Sequence, residues 1–519
     1  MSLIASSFVA LLVLAADEPA PKFPLGKDTT YVSGPLDQDG YIDYEAALND
    51  RLGKGITPET NANVLLWKAF GPTPEGGPGT PAEVFKRMGI DEPPKDGAYF
   101  IGLDALMKDH LKLDPSQFDA IYDQQMRAGK RPWTAKDYPH IAEWLEANEK
   151  PLAIVVEATR RPDYYNPLIS RRKENEPGSL INALLPSVQK CRAAAAALTA
   201  RAMFRAGTGK FDEAWQDLLA CHRLGRLVAR GGTLIEALVG IAVDQMASNA
   251  DLAYLERADL TATQIQDRMK DLQGLAPLPP MADKIDLLER FTYLESVGLI
   301  RRGGLGVLEG LSGGSAKKPD ADQLKVLEKI DWEPALRNGN QWYDRLAAAS
   351  RLKDRAERRK EFDKIDEDLK ALKKEAGESA NLAKLLSLLN DPPEKTAGKA
   401  IGDVLICLLV PAVSKVQNAY DRDDQVQRNV QIAFALAAYR RDHGSYPAKL
   451  DDLAPKYLPA VPNDIFSGGP LVYHPSDKGY LFYSVGVNGR DEGGRSFEDD
   501  PPGDDLPVSM PLPELKAKK

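Results

Sequence analysis

An apolar helical pattern runs into a sharp turn at residues 430–447, whose sequence is VQIAFALAAYRRDHGSYP. The apolar positions recur at the three- and four-residue spacing of one helix face, at Val430, Ala433, Phe434 and Ala437. Gly444 can end such a helix in the left-handed conformation, and Pro447 prevents the helix from resuming. The sequence therefore predicts a long helix that stops just before Gly444.

Strand patterns follow this turn. Residues 471–473 read LVY and residues 480–483 read YLFY, and such aromatic and branched runs are typical of a hairpin packed across a helix. The stretch ends in SVGVNG at residues 484–489, and a double glycine follows at Gly493 and Gly494. These features predict a small antiparallel sheet after the long helix.

This order of motifs resembles the G-type pseudopilins of type II secretion, in which a long helix ends in a YxxDxGxYP turn and a short antiparallel sheet follows. The resemblance covers about a fifth of the chain and implies a pilin-like module at residues 398–495. A pseudopilin starts with about 20 unbroken apolar residues that hold it in the membrane and the pilus. Here about 400 residues precede the module, and Asp403 and Pro411 interrupt its apolar stretch. We interpret it as a pilin-like module reused inside a larger protein.

The resemblance also implies a metal site, because the loop after the sheet binds calcium in G-type pseudopilins. The candidate ligands in the matching loop are Asn488, Asp491, Asp499 and Asp500. The nearby glycines allow the backbone to turn back, so that side-chain and carbonyl oxygens can converge on a hard cation. The alternative is an acidic solvated loop that leads into the C-terminal tail.

The first 16 residues predict an export signal. Leu3 to Ala16 form an apolar run that ends in small residues and precedes an acidic, proline-rich stretch. The run is shorter than the ~20 residues of a membrane-spanning helix, and the small residues at its end suit signal peptidase. Because the run lacks a preceding Lys or Arg, a buried N-terminal strand is the alternative. We expect a signal peptide at residues 1–16 and an extracytoplasmic protein, periplasmic or secreted, without stable membrane insertion.

The remaining patterns predict a mainly α fold with a small C-terminal α+β module. We expect an irregular, α-rich N-terminal region at residues 17–150, a helical body at 151–392 and a disordered, acidic, proline-rich tail at 496–519. In the body, GKFDEAW at residues 209–215 resembles the turn and second helix of a tetratricopeptide hairpin. A solenoid needs about three such repeats, so two core helices are the preferred interpretation.

Two further segments of the chain carry secondary-structure predictions. Leu152 to Val156 could form one short buried strand, since a brief apolar run does not distinguish strand from helix. A stripe through a heavily charged segment predicts an amphipathic helix lying on the body, with Phe362, Ile365, Leu369 and Leu372 on its apolar face.

Composition excludes several classes of site. Lys and Arg number 67 against 76 Asp and Glu, and a net charge of −9 creates no field that would attract nucleic acid. The chain has three cysteines, Cys191, Cys221 and Cys407, too few for a four-cysteine metal site; whether Cys191 and Cys221 pair is left open. The five histidines show no HxH or HExxH spacing, so no zinc site is predicted.

No catalytic signature is present in the sequence. GTGK at residues 207–210 lacks the first glycine and the Ser or Thr of a phosphate loop, and GLSGG at 310–314 lacks the strand and helix of a nucleophile elbow. We therefore interpret the chain as an exported structural or protein-interaction protein, not an enzyme, with an unidentified protein partner. The alternative is an extracytoplasmic hydrolase that uses carboxylates in an interdomain cleft. Two buried carboxylates with raised pKa values facing one pocket would favour it.

Overall fold

The computed structural model describes residues 19–74, 79–171, 178–311, 321–379, 394–410 and 413–515. The predicted signal peptide at residues 1–16 lies outside these ranges. The described residues form a mainly helical protein with one small antiparallel sheet near the C-terminus, so the predicted fold class is confirmed. None of the described helices combines the length and the apolar character that crossing a membrane requires.

Short helices make up the N-terminal region. They are α1 (Tyr44–Leu52), α2 (Ala62–Phe70), α3 (Ala82–Met88), α4 (Leu103–Ala105) with a π-helical turn at Leu106–His110, α5 (Phe118–Ala128) after a 3-10 turn at Pro115–Gln117, α6 (Pro139–Ala147) and α7 (Glu149–Ala158). The strand considered at Leu152 to Val156 is wrong, because these residues lie within α7. Leu152 and Val155 are fully buried one helical turn apart. In sequence, a short buried helix of this kind shows the same run of apolar residues as a buried strand.

Four helices form the centre of the first hydrophobic core: α8 (Val188–Gly207), α9 (Phe211–Val228), α10 (Leu234–Arg257) and α11 (Ala262–Gln273). Gly209 has a positive φ of 80° in the tight turn between α8 and α9, as the hairpin pattern predicts. Thr233 caps α10 in a capping box with Glu236. Cys191 on α8 and Cys221 on α9 are both buried and form no disulfide.

The second hydrophobic core lies around α12 (Met281–Lys284), α13 (Arg290–Gly303), α14 (Gly306–Leu311), α15 (Ala321–Lys329), α16 (Glu333–Arg351), α17 (Arg355–Ser379) and α18 (Glu394–Leu409), with a π-helical turn at Ile285–Glu289 and a 3-10 turn at Leu180–Asn182 beside it. Phe362, Ile365 and Leu369 of α17 are buried, so the amphipathic helix is confirmed. Helix α18 starts before residue 398, the predicted start of the module, and packs on α16 and α17.

The longest described helix, α19 (Val413–His443), belongs to both cores. Val413 and Val416 near its start are buried in the second core, whereas Phe434 and Leu436 near its end are buried in the first. It packs along α10 and α11. Gly444 follows it with a φ of 78°, as the sequence predicts.

The sheet contains β1 (Val472–Pro475), β2 (Tyr480–Ser484) and β3 (Leu506–Met510), in that order and antiparallel, after a 3-10 turn at Leu450–Leu453. Phe482 in the central strand lies opposite Tyr473 on one side and Val508 on the other. The tail, for which the sequence predicts disorder from residue 496, thus supplies the third strand. Val508 and Met510 of this strand pack into the first core, and the backbone N–H of Leu512 donates to Glu256 Oε1 on α10 at 2.7 Å.

Candidate functional site

A surface cleft of about 610 Å³ lies where the irregular segment 97–102 passes the junction of α6 and α7. Its volume is within the range of small-molecule sites. Tyr99 and Phe100 line the cleft from this segment, and Glu146 and Lys150 line it from the helix junction. Lys190, in the first turn of α8, completes the lining. Three separate parts of the chain therefore meet at this cleft.

Asn148 holds segment 97–102 in place. This side chain is fully buried between α6 and α7, and its Oδ1 accepts the backbone N–H of Ile101 at 2.7 Å. Its Nδ2 donates to the carbonyl oxygen of Ile101 at 3.0 Å, and Trp144 Nε1 donates to the same oxygen at 2.8 Å. Both backbone polar groups of Ile101 are therefore satisfied by side chains, which gives the cleft a preformed wall.

Charged groups of both signs surround the aromatic surface of the cleft. Lys190 is half-buried, with its Nζ 5.9 Å from the centroid of the buried Phe100 ring. Glu146, Glu149 and Lys150 are exposed at the rim. An apolar centre with a charged, solvated rim is the usual arrangement of a protein-interaction surface. The sequence did not mark these residues as a site, because nothing local connects residue 101 with residue 148.

The four predicted metal ligands lie in the loop between β2 and β3, where they bond to nearby groups. Asn488 Oδ1 accepts the N–H of Arg490 at 2.7 Å, and Asp491 Oδ1 accepts the N–H of Gly493 at 2.9 Å and the hydroxyl of Tyr483 at 2.9 Å. The Gly493 hydrogen bond is the main reason that the pKa of Asp491 lies below its usual value. These two side chains stabilise the local turns.

The other two predicted ligands do not join them. Asp499 Oδ2 accepts the backbone N–H of Ser496 at 2.7 Å and its hydroxyl at 3.0 Å, and Asp500 follows it directly in the chain. Across the described ranges, no three or more His, Cys, Asp or Glu side chains are grouped in a way that could hold a metal ion. Calcium binding in this loop stays a prediction without support from the arrangement of its carboxylates.

Sequence reasoning missed Asp505, which organises the same loop. Its side chain is fully buried at the start of β3, and its Oδ2 accepts the backbone N–H groups of Glu492 at 3.1 Å and Gly494 at 2.8 Å. Burial raises the pKa of Asp505 in spite of these bonds. The Asp next to the strand pattern of residues 506–510 was the available signal, but it lay in the stretch predicted to be disordered.

The hydrolase alternative calls for two buried carboxylates with raised pKa values that face one pocket. Buried carboxylates with raised pKa values do occur among the described residues, at Glu236, Asp251, Glu295 and Asp423. None of these four lines the cleft. The acids that do line it, Glu146 and Glu149, are exposed. The cleft therefore lacks the feature that would favour a hydrolase.

Glu295 on α13 and Glu45 on α1 form a buried pair of acids between the N-terminal region and the body. Glu295 Oε2 accepts the backbone N–H of Leu180 at 2.7 Å, and Glu45 Oε2 accepts the N–H and the hydroxyl of Ser170 at 2.8 and 2.6 Å. Burial raises the pKa of Glu295 to about 8, and the nearby charge of Glu45 adds to this effect. We therefore expect Glu295 to hold a proton at neutral pH.

This raised pKa predicts the pH dependence of a Glu295→Gln variant. Between the ordinary pKa of 4.5 and about 8, the folded protein retains a proton that the unfolded chain releases, so wild-type stability falls as pH rises through this window. Glutamine retains the acceptor oxygen but does not titrate. Between pH 5 and pH 8, urea unfolding should show the free energy of unfolding of the variant rising by about 3 kcal/mol relative to that of wild type. Glu333→Gln, which removes a charge from an exposed surface pair, is the control, and its stability should vary with pH as that of wild type does. If the stability of Glu295→Gln also ran parallel to that of wild type across this pH range, the prediction would be contradicted.

No family model, curated protein or solved structure matches the chain. Its functional interpretation therefore depends on its own side chains.

Proposed function

We propose that the chain is an exported structural or protein-interaction protein whose pilin-like module is part of a helical body. The position of α19 in both hydrophobic cores supports this proposal. The helix of a pilin has to present an apolar first stretch to a membrane and to neighbouring subunits. In this chain the apolar stretch of the module is buried against the body itself at Leu405, Ile406 and Val410. Export is supported by the apolar run of Leu3 to Ala16.

The partner-binding surface in this proposal is the cleft between segment 97–102, the α6–α7 junction and Lys190. Its wall is held by the hydrogen bonds of Asn148, so binding requires little ordering of the protein. The half-buried ring of Tyr99 supplies apolar contact area, and the rim charges of both signs supply specificity. A segment of another protein with an apolar side chain flanked by charges has the matching chemistry.

The experiment is partner capture from the extracytoplasmic fraction with the purified full chain. A Lys150→Glu, Lys190→Glu double variant reverses both cleft lysines, and Lys364→Glu reverses an exposed lysine on α17 that pairs with Glu361 at 2.6 Å. Wild type and Lys364→Glu should capture the same partner. The cleft variant should capture about tenfold less of it, because the new glutamates repel the partner charges that the lysines attract. All three should melt at similar temperatures.

Two results would contradict the proposal. If the cleft variant captured as much partner as wild type, the cleft would not be the partner-binding surface. Turnover of a broad panel of hydrolase substrates by the purified wild-type chain would replace the interaction function with the hydrolase alternative.

A further inference from the structure

A buried cluster of charged side chains joins α19 to α9 and α10. His222 is on α9, Asp244 and Asp251 are on α10, and Asp423 is on α19. The first three are fully buried and Asp423 is 1% exposed. His222 Nδ1 lies 2.6 Å from Asp244 Oδ1, and His222 Nε2 lies 2.9 Å from Asp251 Oδ2. Three helices thus meet at one set of titratable groups.

The geometry favours the charged form of His222. Each ring nitrogen faces a carboxylate oxygen, and the imidazolium form, in which both nitrogens donate, satisfies both contacts. Burial alone would lower the pKa of His222, but Asp251 and Asp244 raise it to about 10.

Further polar groups connect α19 to this cluster. Gln427 Nε2 donates to Asp244 Oδ2 at 2.9 Å and to Ser248 Oγ at 2.8 Å. Arg226 Nη2 lies 3.5 Å from the same Asp244 oxygen. Asp423 is one helical turn before Gln427, and among the described residues its Oδ1 has no hydrogen-bond partner. The joint therefore contains a third carboxylate whose charge no direct contact balances.

Charge balance decides the state of that third carboxylate. If Asp244, Asp251 and Asp423 were all ionised, three negative charges would face two positive ones, from His222 and Arg226, and leave one uncompensated charge in the interior. An unpaired buried charge is strongly destabilising, whereas the neutral acid removes it. On its own helix Asp423 adjoins Asp424, which pairs with Arg428 at 2.9 Å on the surface. Tyr420, one turn earlier on α19, also lies near Asp423, and none of the described groups that act on Asp423 is a third cation.

We propose that Asp423 is protonated at neutral pH and that this proton locks α19 against the α9–α10 pair, so that alkali, by removing it, loosens the joint. The pKa of Asp423 agrees in direction: burial and then Asp244 raise it well above its usual value, against the opposing effects of Arg226 and His222. The C-terminal module is therefore attached to the body by a proton-dependent joint.

The test compares the full-length wild type with Asp423→Asn, and with Asp424→Asn as the surface control. At pH 4 the Asp423→Asn variant and wild type should be about equally stable, because both carry a neutral group at this position. As pH rises, the ratio of the folding equilibrium constant of Asp423→Asn to that of wild type should increase by up to about tenfold per pH unit. The increase should stop when Asp423 ionises in the folded wild type. Comparison between the two chains cancels most of the titration of His222, which both contain.

Two further measurements report on the proton and on the joint. The infrared carbonyl band of protonated carboxylic acids at pH 7 should lose intensity in Asp423→Asn. Hydrogen exchange of α19 amides, corrected for the base-catalysed intrinsic rate, should accelerate in alkaline wild type and much less in the variant.

If Asp423→Asn does not fold, Asp423→Leu supplies another neutral side chain of similar size and should show the same increase in stability relative to wild type as pH rises. The proposal is overturned if the neutral variants follow wild type at every pH or leave the acid band unchanged.

Discussion

Replacement of Phe434 by alanine should lower the free energy of unfolding by about 4 kcal/mol, the usual cost of removing a buried aromatic ring. Phe434 is fully buried on α19, and its ring centroid lies 5.8 Å from that of Trp215 on α9. The surrounding helices are already packed on several sides, so the cavity cannot collapse fully. Urea unfolding followed by both tryptophan fluorescence and circular dichroism measures the loss.

Phe497→Ala is the matched control for this prediction. Phe497 is 67% exposed and contacts Arg422, whose guanidinium lies 5.6 Å from the ring centroid. Its removal should change the free energy of unfolding by less than about 1 kcal/mol. Losses of similar size in the two variants would show that α19 is not packed in the first core as described.

Arg290→Ala should destabilise the second core by about 3 kcal/mol. Arg290 is fully buried on α13, where its Nη2 contacts Asp286 Oδ1 at 2.6 Å and Asp344 Oδ1 at 2.7 Å. Its Nη1 donates to Asn340 Oδ1 at 3.0 Å, and its guanidinium lies 4.1 Å from the centroid of Tyr31. The truncation leaves a carboxylate and an amide oxygen without their donor and removes the cation–π contact. Thermal and urea unfolding both measure the effect.

Arg345→Ala provides the comparison on α16. Arg345 is about half exposed, and its Nη2 contacts Asp368 on α17 at 2.5 Å. An exposed pair of this kind contributes at most about 1 kcal/mol. If Arg345→Ala lowered the free energy of unfolding as much as Arg290→Ala does, burial would not be what distinguishes the two ion pairs.

The sequence by itself determined where individual helices begin and end. Asp43 caps the start of α1, Thr233 caps the start of α10, and Gly444 ends α19, which are the usual positions of these residue types. Each of these signals depends on hydrogen bonds or dihedral angles within a few residues, so the neighbouring sequence contains all the necessary information. The apolar face of α17 is similarly visible, because helical spacing alone identifies the side that is buried.

Only the tertiary structure decided which distant segments meet. The pairing of Asn148 with Ile101 creates the cleft wall, and the meeting of His222 with Asp423 creates the buried joint. Strand β3 is stabilised by its ladder with β2 and by burial of alternate residues, although its proline-rich and acidic surroundings predict disorder. Such contacts have no local signature, because their free energy comes from removing groups of separate chain segments from water together. The candidate site and the proton-dependent joint both belong to this second class.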